Sequence, residues 1–89
     1  MDNRQKDMSL SLKIKLIEHI RSDVEKNGWT QTYAAKKMSI SRSRFCRIMG
    51  GQINDVSEWR LIQCLIDLGN EIQIKITKPK ENNGSIRID

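Results

Sequence analysis

Residues 30–51 read TQTYAAKKMSISRSRFCRIMGG, with five basic side chains and no acidic one. The acid-free window runs from Lys26 to Asn54 and holds six basic residues, Lys26, Lys36, Lys37, Arg42, Arg44 and Arg47. The chain of 89 residues carries 16 Lys and Arg against 11 Asp and Glu, a net charge of +5. Setting those six aside leaves ten basic groups against 11 acidic ones, so the excess is local. A local positive patch suits a polyanionic partner.

The apolar residues of the same stretch give it a frame. Thr30 is placed to accept hydrogen bonds from the free N–H groups of a new helix, and Trp29 before it pairs with Ala34 as a hydrophobic staple. That helix, about residues 31–38, turns Ala34, Ala35 and Met38 inward. Two adjacent alanines let another helix approach closely. Ser39-Ile40-Ser41 then breaks the pattern, Ser41 caps a third helix with Phe45, Ile48 and Met49 inward, and Gly50-Gly51 ends it. Two short helices around a three-residue turn make a helix-turn-helix, whose second helix offers its N-terminal side chains to the DNA major groove.

Outward from this frame, Leu12, Leu16, Ile17, Ile20 and Val24 recur at helical spacing, which predicts an amphipathic helix from Leu10 to Val24. Ser9 or Ser11 would cap it, Asn27-Gly28 would stop it, and residues 1–9 read as a flexible segment. On the other side, Ser57 caps a fourth helix whose apolar face, Leu61, Ile62, Leu65, Ile66 and Leu68, is wider than one core stripe requires. Trp59 lies on its Ile62-Ile66 side, covered either by a second chain or by the monomer's own helices. Gly69 stops this helix. Residues 71–76, EIQIKI, alternate strictly and predict a strand, which needs a pairing partner. Residues 77–89 form a polar tail, in which Asn82-Asn83-Gly84 offers a turn and residues 85–88 a returning strand.

The stretch GWTQTYAAKKMSISRSRFCRIMGG, followed by VSEWRLIQCLIDLGNEIQIKI, resembles the lambda-repressor-like, or XRE, regulators, and within them the small single-domain type that includes HigA-type antitoxins. Gln31, Ala35, Ile40, Phe45 and Ile48 carry the likeness, which covers roughly residues 10–76. The family usually has glycine in the turn where this chain has Ser39; a positive φ there would strain serine by on the order of 1 kcal/mol. The resemblance implies a mainly α fold of four to five short helices around a central helix-turn-helix. It also implies that the strand at 71–76 pairs across a homodimer, which would put Ile72, Ile74 and Ile76 at the interface; the wide apolar face of the fourth helix would add Trp59 and Ile66. An intramolecular hairpin with 85–88 is the alternative for that strand.

The candidate DNA contacts divide by chemistry. Ser41, Arg42, Ser43 and Arg47 are placed for base edges, since arginine can donate two parallel bonds to guanine and serine can reach bases or phosphates. Thr30, Gln31, Lys36, Lys37 and Arg44 are placed for phosphates, in Gln31's case by the family resemblance, and the free N–H groups at helix starts add to that attraction. Lys36 and Lys37 read equally well as ordinary solvated lysines. Cys46 reads as a contact to a thymine methyl or as a small buried hydrophobe. Trp29 and Tyr33 could stack on unpaired bases, but staple or core packing suits them better.

These features predict a sequence-specific repressor binding an inverted-repeat operator in double-stranded DNA as a dimer. The resemblance adds a small ribonuclease toxin as a protein partner; a regulator without such a toxin, or a neutraliser with weak DNA affinity, are the alternatives. Cys46 and Cys64 have no paired base that sequence can place, His19 reads as a surface residue, and no phosphate-cradling glycine loop occurs. No catalytic residue, metal site or cofactor is therefore expected. The polar first 15 residues contain no membrane-length apolar run, so a cytoplasmic chain with reduced thiols is expected.

Overall fold

The computed structural model of the chain describes residues 3–78 and residue 88. Among the described residues four helices follow one another: α1 (Asn3–Asn27), α2 (Gln31–Lys37), α3 (Arg42–Met49) and α4 (Glu58–Asp67). Helix α1 lies chiefly against α4, α2 against α3, and α1 also touches α3. Leu16, Ile17 and Ile20 of α1 meet Ala34, Ala35, Met38, Phe45, Ile48, Leu61, Cys64, Leu65 and Leu68 in one buried cluster. Ile53 and Val56, in the α3–α4 link, close its lower side. No described side chain that is polar or charged is buried.

Helix α1 starts at Asn3, seven residues before the apolar pattern begins. Residues 3–9 contain no Gly or Pro and include Arg, Gln, Lys and Met, all good helix formers. They add no apolar stripe, so periodicity alone does not register them. Ser9 therefore lies inside the helix and does not cap it. Its hydroxyl donates instead to the Glu58 carboxylate at the start of α4.

All four helices end in the same way. The first residue past the cap is in the left-handed region, and its N–H and the next one fold back onto carbonyls of the last turn, which satisfies acceptors the helix leaves open. Gly28 (φ 64°), Gly51 (φ 93°) and Gly69 (φ 101°) serve α1, α3 and α4. At α2 the residue is Ser39, at φ 57°. Its N–H donates to Lys36 O at 3.1 Å and that of Ile40 to Ala35 O at 3.0 Å. Serine thus occupies the left-handed position that glycine takes at the other three helix ends, and bears the strain that a positive φ brings.

Residues 71–78 form no strand. A strand is defined by its ladder, and within the single chain no described segment lies alongside to provide one. Of the alternating isoleucines, Ile72 is half-buried against the core, whereas Ile74 is 80 % and Ile76 93 % exposed. The alternative hairpin falls on residues 85–88, of which only Ile88 lies within the described residues, partly buried against the core.

Candidate nucleic-acid interface

Helix α3 begins at Ser41, extended at φ −71° and ψ 155°, whose Oγ accepts from Arg44 N at 3.0 Å. Phe45 and Ile48 anchor one side in the core. About 100° of rotation per residue then puts Ser43 and Arg47 on the opposite side, with Arg42 and Cys46 on one flank and Arg44 on the other. Arg42, Ser43, Cys46 and Arg47 are all exposed, and Arg44 is half-buried. Ser41, Arg42 and Ser43 are thus exposed at the start of α3, and Arg47 is exposed in its last turn.

Helix α2 begins at Thr30, whose Oγ1 accepts from Tyr33 N at 3.1 Å, leaving its hydroxyl hydrogen available. Gln31 follows, exposed, with its Oε1 3.4 Å from Cys46 Sγ. This contact fixes Cys46 as an exposed neighbour of Gln31, so the buried-hydrophobe alternative does not hold. Lys36 is exposed. Lys37 is half-buried, its ammonium 5.2 Å from the ring centre of Trp29 and 5.5 Å from that of Tyr33.

The helix-turn-helix domain family matches residues 1–77, most of the chain. The chain belongs to that family. A solved structure described as a "Putative XRE Family Transcriptional Regulator" has the same fold, with a TM-score of 0.83 at 19 % identity over 94 % of each chain. No curated protein matches it.

Two residues that sequence reading passed over hold the helix-turn-helix in shape. Arg60 of α4 donates from Nη2 towards Met38 O at 3.5 Å and Ser39 O at 3.4 Å, at the C-terminal end of α2. Arg21 of α1 donates to Met49 O at 2.8 Å, at the end of α3. Both place a cation where the helix dipole is negative. Residues this distant in sequence, 21 and 28 positions apart for the closest pairs, leave no local signal. Asp55 was also missed: it joins Arg44, Arg47 and Gln52 around a hollow of about 40 Å³ beside α3. A window without acids in sequence is therefore not a surface without them.

On α4, Trp59 is 64 % and Ile66 49 % exposed. The monomer's own helices thus leave most of Trp59 uncovered. Glu58, beside it, has its carboxyl held below the usual range by the Ser9 hydrogen bond first, then by a backbone bond, with Lys13 4.0 Å away contributing less. Burial pushes the Cys64 thiol up, as expected of a structural core cysteine. None of the described helices is long and apolar enough to cross a membrane.

Proposed function

We propose that the chain is a DNA-binding transcriptional repressor that recognises an inverted-repeat operator as a homodimer in the cytoplasm. The observation that carries this reading is the solvent-facing side of α3, where Ser41 caps the helix, Arg42 and Ser43 are exposed in its first turn and Arg47 is exposed in its last. Arg42 and Arg47 would read guanines bidentately, while Thr30, Gln31, Lys36, Lys37 and Arg44 would hold the phosphates on either side. Dimerisation is supported by the exposed apolar side chains Trp59, Ile66, Ile74 and Ile76, which lie on α4 and the segment after it. Pairing of residues 71–76 with their symmetry mates would supply the ladder that one chain lacks and cover the two most exposed isoleucines. Ile72, already half-buried, would contribute from the core side.

The test is selection from a random duplex library at about physiological salt. An enriched inverted repeat with half-sites about one helical turn apart, roughly 34 Å, is the expected result; salt-sensitive binding without a motif would sink the reading.

The antitoxin role is a second part of the proposal. Leu10 and Ile14 are exposed on α1 and, with Ser11, Lys15 and Glu18, form an open, partly apolar face of that helix. A small ribonuclease would lie there. Co-expression with the product of the adjacent gene, followed by co-purification and loss of complex in Ile14→Lys, is the expected outcome. Failure to recover any such partner, with no relief of its toxicity, would leave a stand-alone regulator.

A further inference from the structure

Lys36 and Lys37 are adjacent and chemically identical, yet their surroundings differ. Lys36 projects into solvent. The ammonium of Lys37 lies over two rings, Trp29 and Tyr33, whose centres are 5.7 Å apart and whose planes are tilted by 55°. Lys37 belongs to the last turn of α2, but helical side chains lean towards the N-terminus, and this one reaches a ring that precedes the Thr30 cap. The positive charge is thereby held over the two rings while it stays partly open to solvent.

We propose that Lys37, laid across Trp29 and Tyr33, is a preorganised phosphate clamp for the DNA backbone, with Tyr33 as its positioning residue. This rests on the reading of α2 and α3 as a DNA-binding unit. Aromatic faces attract a cation through their quadrupole without cancelling its charge, as a carboxylate would. The full charge remains available to a phosphate oxygen. A solvated lysine must give up its rotamer freedom when it grips a phosphate, whereas one already lying on two rings has given up much of it beforehand. Trp29 is partly buried against the core and so fixes one wall, while Tyr33, 48 % exposed, can be altered without touching the core.

The experiment is a double-mutant cycle on duplex DNA across a series of salt concentrations, with melting curves to show that each variant is folded. Lys37→Ala should weaken binding and flatten the log–log salt dependence by about one unit. Tyr33→Leu should weaken binding about two- to fivefold, and should do nothing further in the Lys37→Ala background. Tyr33→Phe, which keeps the ring, should bind as the natural chain does, and Lys37→Arg should retain binding because a guanidinium also stacks on rings. Additive losses, an unchanged salt slope in Lys37→Ala, or a loss in Tyr33→Phe equal to that in Tyr33→Leu would each overturn the clamp. If Arg47→Ala weakens binding while the cycle is additive, the clamp falls and the DNA reading stands. No duplex binding by the natural chain overturns both.

Discussion

The α2–turn–α3 face and the α4 face are both exposed, but they are finished differently. On the first, apolar side chains point inward, hydroxyls cap both helices, and arginines from α1 and α4 reach the carbonyls at the other ends. What remains outside is mostly polar or basic, with Tyr33 and Cys46 as the exceptions. On the second, Trp59, Ile66, Ile74 and Ile76 remain in water. Exposed large apolar groups brought together cost solvation free energy that a finished surface avoids. The first face is thus suited to a polyanion, while on the second the proposed dimer would cover the exposed apolar groups.

The largest expected effect breaks the second face. Trp59→Glu should weaken self-association by about 2–4 kcal/mol, the range of a buried aromatic anchor at an interface, and operator binding should fall with it. Sedimentation across a concentration series reads this directly. A chain that remains equally associated would move the interface away from α4.

Next comes the first face. Arg47→Ala should cost about 1–3 kcal/mol on the selected operator and relax preference at one position of each half-site. Lys36→Ala should instead lower affinity for all sequences alike. Equal losses for both variants on operator and scrambled duplex would remove the distinction between base and phosphate contacts.

Much of this division is legible in the sequence because it is local. Thr30, Ser41 and Ser57 announce helix starts, Gly28, Gly51 and Gly69 announce stops, and three-to-four spacing marks Phe45 and Ile48 as inward. Local signals fail where a residue acts at a distance or lacks a periodic neighbour. The first turns of α1 carry no apolar stripe, and Arg60 serves a turn 21 positions away. The aromatic seat of Lys37 was readable in principle, since Tyr33 stands four residues before it on a helix. Alternation at 71–76 describes the side chains and predicts a strand, but a ladder needs a partner that alternation cannot name.

Ser39 gives a smaller effect, confined to the first face. Ser39→Gly should stabilise the fold by about 0.5–1 kcal/mol, because glycine adopts a positive φ without the clash that serine bears, partly offset by its greater freedom when unfolded. Thermal melting should show a rise of a few degrees with DNA affinity unchanged. A fall would mean that the serine hydroxyl contributes something to the turn that outweighs its backbone strain.

The smallest effect separates the two faces by pH. The caps of α2 and α3 are neutral hydroxyls, which do not titrate. The start of α4 is tied to α1 through the Glu58 carboxylate, held by Ser9 and flanked by Lys13. A carboxyl whose folded pKa is lowered stabilises the fold fully above its unfolded value, and that stability is lost as pH falls through the folded value. Because Glu58 is partly open to solvent, the contribution is modest. Hydrogen exchange between pH 6 and 3, corrected for intrinsic rates, should show protection falling first at residues 58–62 while α2 and α3 keep theirs. In Glu58→Gln that difference should vanish. Equal loosening of both faces in the natural chain would mean that the Ser9–Glu58 contact does not hold α4 separately, and that acid acts on the domain as one unit.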